Sequence, residues 1–239
     1  MSDSDHNNDI AEAVTEELLE CCQSDLLSEE GLREIIERHE LTHNHHCVED
    51  YRFFLEACRN ERVDEGIIRC LIEYCPDVAR ATEEDDTTPL HYACRNKSMT
   101  RGIIQLLIDS APDFVRSVDN EGWMPLHFLC ANARRNETAA IQILELLIEK
   151  HPEALRHAND ESRLPIHIAV AAQTRSHEFC RVLIQAYPGS ERIADSMGTL
   201  PLHWACCYNN FATVVYLYKL YPMPSIMRQE VDFIQFTAH

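Results

Sequence analysis

Leu200-Pro201-Leu202-His203-Trp204-Ala205-Cys206 occurs four times in this chain, in altered copies. The earlier three are Thr88-Pro89-Leu90-His91-Tyr92-Ala93-Cys94, Met124-Pro125-Leu126-His127-Phe128-Leu129-Cys130 and Leu164-Pro165-Ile166-His167-Ile168-Ala169-Val170. Pro89, Pro125, Pro165 and Pro201 stand 36, 40 and 36 residues apart. Self-similarity at such a period predicts supersecondary units stacked in file, each burying the face its neighbour would leave bare.

Working outward from the proline, each unit reads as helix, turn, helix and loop. Proline suits the first helical position, where its missing N–H has no intrahelical partner and its fixed φ already matches the helix. The second helices, such as Ile103-Ile104-x-Leu106-Leu107-Ile108 and Ile143-Leu144-x-Leu146-Leu147-Ile148, are apolar over most of their circumference and must be covered on two sides. Each runs into a proline (Pro76, Pro112, Pro152, Pro188, Pro222), which removes a donor and restricts the residue before it. Glu83-Glu84-Asp85-Asp86, Asp119-Asn120-Glu121-Gly122, Asn159-Asp160-Glu161-Ser162 and Asp195-Ser196-Met197-Gly198 then read as turns, because Asx side chains bond nearby backbone and Gly tolerates positive φ.

A degenerate first unit precedes these. Ala57-Cys58-Arg59-Asn60 and Gly66-Ile67-Ile68 return 36 positions later as Ala93-Cys94-Arg95-Asn96 and Gly102-Ile103-Ile104, with Phe53-Phe54-Leu55 in place of Pro-Leu-His. The array thus spans 51–222 in five units, starting near residues 51, 83, 119, 159 and 195. Residues 1–9 have almost nothing to bury and are expected to be disordered. Over 10–50, Ile10, Val14, Leu18 and Cys22 mark one helix. Leu32, Ile35 and Ile36 mark a second, with Ser28 as N-cap and Glu29 and Glu30 in its first turn, and together the two cap the array. The tail, 223–239, carries apolar residues suited to covering the last unit or, alternatively, to serving as a short partner-binding segment.

The four motifs and the helix pair after each resemble the ankyrin-repeat family, whose roughly 33-residue unit carries Thr-Pro-Leu-His-x-Ala. The resemblance implies an all-α fold: an ankyrin-type solenoid of about five helix-turn-helix units with short projecting turns and an N-terminal helical cap. It also implies that His91, His127, His167 and His203 order their turns. Only Thr88 keeps the family's threonine, since Met124, Leu164 and Leu200 supply no N-cap oxygen. The units run longer than the family's, the widest one expanded between its helices around Ala133-Arg134-Arg135-Asn136-Glu137.

The charge is −19, of which residues 1–50 hold −13 through fifteen acids against Arg33 and Arg38. Such a balance disfavours direct contact with nucleic acid or an anionic membrane and suits a basic protein segment. No apolar run reaches the ~18 residues of a membrane span, and the start lacks a secretory layout. An intracellular site, cytoplasmic or nuclear, is expected, where eleven cysteines stay reduced.

No catalytic or cofactor motif is present: no phosphate loop, no Gly-x-Ser-x-Gly, no His-Glu-x-x-His, and no two of the six glycines two apart. The chain reads as a non-enzyme without cofactor or metal. His43, His45, His46 and Cys47 are the densest metal-ligand types, yet lack the partner pair a closed site needs. Cys58, Cys94, Cys130 and Cys206 share one repeat position with Val170, so the site asks for a small apolar group. Stacked helices lie roughly 8–10 Å apart, too far for the ~7 Å reach of a disulfide. Cys207 should face the groove and be the reactive thiol.

The family's partners are gripped by turn tips and by the groove-facing ends of first helices. Carried over, the tip residues are Glu84, Asp85 and Thr87; Asn120, Glu121 and Trp123; Asp160, Glu161 and Arg163; Ser196, Met197 and Thr199. The helix-end residues are Arg59, Asn60, Arg95, Asn96, Ala131, Asn132, Ala171, Ala172, Cys207 and Tyr208. The four tips carry nine acids against Arg163 alone, while Asp119 and Asp195 should serve the turns themselves. The function this implies is a monomeric protein-interaction scaffold holding a basic protein segment in a concave acidic groove, with Trp123 as its hot spot. Competing classes are a polyanion-mimicking inhibitor of a nucleic-acid-binding protein and a metal- or thiol-dependent sensor.

Overall fold

The computed structural model describes residues 3–39, 51–132, 136–172, 176–208 and 211–220, with side chains from residue 13 onward. Among these residues there are twelve α-helices and no strand. Six are first helices: α1 (Asp3–Gln23), α3 (Arg52–Arg59), α5 (Pro89–Arg95), α7 (Pro125–Ala131), α9 (Pro165–Ala171) and α11 (Pro201–Cys207). Six are second helices: α2 (Glu29–Arg38), α4 (Glu65–Tyr74), α6 (Arg101–Ser110), α8 (Glu137–Lys150), α10 (His177–Ala186) and α12 (Phe211–Leu220). Each first helix packs on the next first helix, and each second helix on the next second helix, so the chain forms two parallel files. One continuous core runs between them, from Val14 to Leu217.

The two files begin differently. Second helices start on side-chain caps: Ser28 accepts from Gly31 N, Asp64 from Ile67 N, Thr100 from Ile103 N and Ser176 from Phe179 N, each satisfying a donor left open at a helix start. The last four first helices start on proline instead, and their histidine takes over the capping. Beyond α4, α6 and α8 the chain does not become plain loop. Pro76–Arg80, Pro112–Arg116 and Pro152–Arg156 are 3₁₀ turns, which bury Val78, Val115 and Leu155.

Three expectations change. The stretch 1–9 is helical from Asp3, in line with acidic residues favouring a helix N-terminus. The pair α1/α2 is more than a cover: it is a sixth unit in register, since Cys22 and Cys58 occupy the same place, and Leu32 and Ile35 precede Ile68 and Leu71 by 36. Finally, the widest unit is not expanded between its helices. Five residues separate α7 from α8, as they separate α5 from α6, while α8 has fourteen residues against ten in α6. Four residues make about one helical turn, so the insertion lengthens α8 without rotating its buried face. No helix among the described residues is long and apolar enough to cross a membrane. The tail 223–239 lies outside the described residues.

Candidate protein-binding groove

The four turns between units share one geometry. The first residue donates to the carbonyl four on, Glu83 to Thr87, Asp119 to Trp123, Asn159 to Arg163 and Asp195 to Thr199, at 3.0–3.1 Å. The fourth residue lies in the left-handed region: Asp86 (φ 61°), Gly122 (74°), Ser162 (57°) and Gly198 (76°). Asp119 Oδ1 accepts from Glu121 N and Trp123 N, and Asp195 Oδ1 from Met197 N and Thr199 N. These carboxylates therefore serve the turns. Neighbouring tips are tied by backbone bonds of 3.0–3.1 Å, from Asn120 N to Asp85 O, Asp160 N to Glu121 O and Ser196 N to Glu161 O.

Behind the tips runs the histidine row. His91, His127, His167 and His203 each accept at Nδ1, at 3.1 Å, from the N–H of the residue before their proline. That bond fixes the tautomer with hydrogen on Nε2, which His91 donates to Trp123 O (3.1 Å), His127 to Arg163 O (3.3 Å) and His167 to Ile193 O (2.9 Å). Each of these three rings thus orders its own turn and clasps the following segment. Thr88 alone adds a hydroxyl, 2.8 Å from His91 Nδ1. Burial holds His91 and His167 below the usual histidine value, and burial with the neighbouring His157 holds His127 down at about 3.

Several residues assigned to the groove also have structural work. Asn60 Nδ2 donates to Cys22 O and Ser24 O, Asn96 Nδ2 to Cys58 O and Asn60 O, and Asn132 Nδ2 to Arg95 O. These carboxamides stitch one first helix to the previous one, while Asn96 and Asn132 also line the hollows between tips and first helices. Thr87 is likewise buried, 3% exposed. Glu84, Asp85, Asn120, Glu121, Asp160, Glu161, Ser196 and Met197 are exposed at the tips; Arg59, Arg95, Ala131, Cys207 and Tyr208 are exposed at helix ends. Thr199, Ala171 and Ala172 are half-buried. Trp123 is half-buried too, its ring edge-on to Phe128 at 5.6 Å and tilted to His127 at 5.9 Å, which makes it part of the wall.

A hollow of about 970 Å³ lies between tips and first helices, lined by Asp85, Tyr92, Arg95, Asp119, Glu121, Trp123 and Phe128 among others. Its character is not uniformly acidic. The tips bring acids, but Arg59, Arg95 and Lys97 rise from the ends of α3 and α5, with Lys97 paired to Glu61. Sequence reasoning missed Tyr92, Phe128 and Trp204, the aromatic residues directly after three of the four motif histidines, although that recurrence was the available signal. Tyr92 donates to Glu83, and burial with that contact pushes its phenol up to about 12.

Cys58, Cys94, Cys130 and Val170 are all buried at equivalent places, and none of the ten described cysteines forms a disulfide. Among the described residues no three His, Cys, Asp or Glu are placed to hold a metal ion; His43, His45, His46 and Cys47 lie outside them. A family model described as ankyrin repeats, in three copies, matches residues 54–154 and 133–227. No curated protein matches the chain.

Proposed function

Because this chain belongs to the ankyrin-repeat family, whose repeats serve protein–protein interaction, we propose that it is a non-catalytic scaffold gripping a basic protein segment along the tips and hollow flank of units three to six. The observation that carries this reading is the row of exposed tip acids, Glu84, Asp85, Glu121, Asp160 and Glu161, fronting an aromatic-walled hollow on a frame tied tip to tip. A frame already ordered loses little entropy on binding, charge steers a cationic segment in, and buried aromatic contact holds it.

The test is affinity capture from the native cell with the full chain and with two classes of variant. Glu84→Lys with Glu121→Lys should lose the partner; Glu145→Lys, on the exposed side of α8, should keep it. Raising salt should weaken capture. Retention by the tip variant with loss by the α8 variant would move the interface to the outer helices. Displacement of the partner by DNA would make the acidic strip a polyanion mimic.

A further inference from the structure

Three units carry a turn acid beside an aromatic ring, and two of these are closed by an arginine of the chain itself. At α5, Tyr92 donates to Glu83 Oε2, while Arg59 from α3 lies over the Tyr92 ring, 4.0 Å from its centroid, with Nη2 2.6 Å from Glu83 Oε1. At α11, Trp204 Nε1 donates to Asp195 Oδ2 at 2.9 Å, and Arg163 lies 4.5 Å over the indole with Nε 3.7 Å from the same oxygen. Acid, ring and guanidinium form a complete set in both.

At α7 the set is incomplete. Asp119 Oδ1 is taken by the turn, and Phe128, standing where Tyr92 and Trp204 stand, has no polar hydrogen for Oδ2. That oxygen has no hydrogen-bond partner among the described residues. Arg95 holds the repeat position of Arg59 but lacks what fixes Arg59. Glu56 is replaced by Tyr92, the Tyr92 hydroxyl is lost at Phe128, and Glu83 becomes Asp119, one methylene shorter. Arg95 accordingly stays exposed, in no ion pair among the described residues. At α9 both elements are missing, with Asn159 and Ile168 in their places.

We propose that the open notch at α7 takes an arginine side chain of the partner, its guanidinium packed against Trp123 and Phe128 and its charge met by Asp119, Asp85 and Glu121. The inference rests on the protein-binding reading and names the side chain it selects. The chain's own two arginines show the chemistry the notch is shaped for, since a planar guanidinium stacks on a ring while its edge meets a carboxylate. Three acids against Arg95 favour a cation over an acidic partner.

The test uses the full chain and ten-residue Gly/Ser peptides carrying three arginines, three lysines, three citrullines or three glutamates. The arginine peptide should shift the Trp123 indole N–H resonance saturably and leave that of Trp204, whose notch is already filled. Binding should be about fivefold tighter than for lysine and at least about tenfold tighter than for citrulline. Glu121→Lys should weaken it about tenfold; Asp85→Asn, which keeps the turn acceptor, about threefold; Arg95→Ala, which removes a competing cation, should tighten it about twofold.

Equal binding of citrulline, or equal movement of Trp204, overturns the proposal. So does a preference for the glutamate peptide that vanishes in Arg95→Ala, which would make Arg95 the anchor of an anion seat. If no peptide moves Trp123 while Glu84→Lys with Glu121→Lys still abolishes capture of the natural partner, the arginine seat is wrong and the protein-binding reading stands. If capture also survives, both fall.

Discussion

The histidine row and the notch row follow the same edge of the stack and obey opposite rules. His91, His127 and His167 do one job in one geometry, buried and neutral, each clasping the segment that follows. The notches beside them differ from unit to unit: filled by Arg59, open at Phe128, absent at Ile168, filled again by Arg163. Cohesion is a demand every interface shares, so its residues repeat. In the proposed reading, recognition is a demand on particular places, so its residues do not.

The comparison breaks most severely if the core beside the open notch tolerates loss of volume. Leu126, 1% exposed in the same first helix as Phe128, should cost about 2–5 kcal/mol on Leu126→Ala, measured by denaturant unfolding. Trp123→Ala should cost less, about 1–2 kcal/mol, because the ring is only half-buried. A larger loss at Trp123 than at Leu126 would make the notch wall part of the cohesive row.

Acid should attack the histidine row before the tips. The folded values of His91, His127 and His167 lie below the unfolded ~6.5, so the folded chain binds fewer protons there. Their contribution is full above ~6.5 and falls as pH drops toward the folded values, by about 1.4 kcal/mol per pH unit for each histidine. Asp85 and Asp195 respond later: burial opposes their charge, but the Thr87 contacts, and the Thr199 N–H with the Trp204 indole, hold them below the usual carboxylate range. Unfolding free energy flat from pH 7 to 5 would contradict neutral, buried rings.

The smallest effects concern the turns. Gly122→Ala and Gly198→Ala both force a side chain into the left-handed region, at about 1 kcal/mol. At Gly122 the added Cβ would also sit 3.1 Å from Asp160 N on the next tip, whereas nothing lies within 4 Å at Gly198. Gly122→Ala should therefore melt at the lower temperature. Ser162→Gly should stabilise, by about 0.5–1 kcal/mol, since Ser162 already holds positive φ.

What was legible in the sequence was local: proline at the helix start, histidine three positions into each motif, turn residues at fixed offsets. The first helix pair was read only as a cap because Glu17-Leu18-Leu19 stands where later units have Pro-Leu-His; the 36-residue step from Cys22 to Cys58 was the signal. The added turn of α8 was hidden because four inserted residues look alike in a loop or a helix until their packing is known. Asn60, Asn96 and Asn132 hide a stacking role, because an asparagine at a helix end looks solvated while its carboxamide donates to carbonyls about 36 residues back. The notches escaped because their parts come from two units, and no single motif contains them.

The three backbone rungs from Asn120 to Asp85, Asp160 to Glu121 and Ser196 to Glu161 run the fingertips together as a ribbon. A load placed on one fingertip is therefore shared along the ribbon instead of being borne by a single turn.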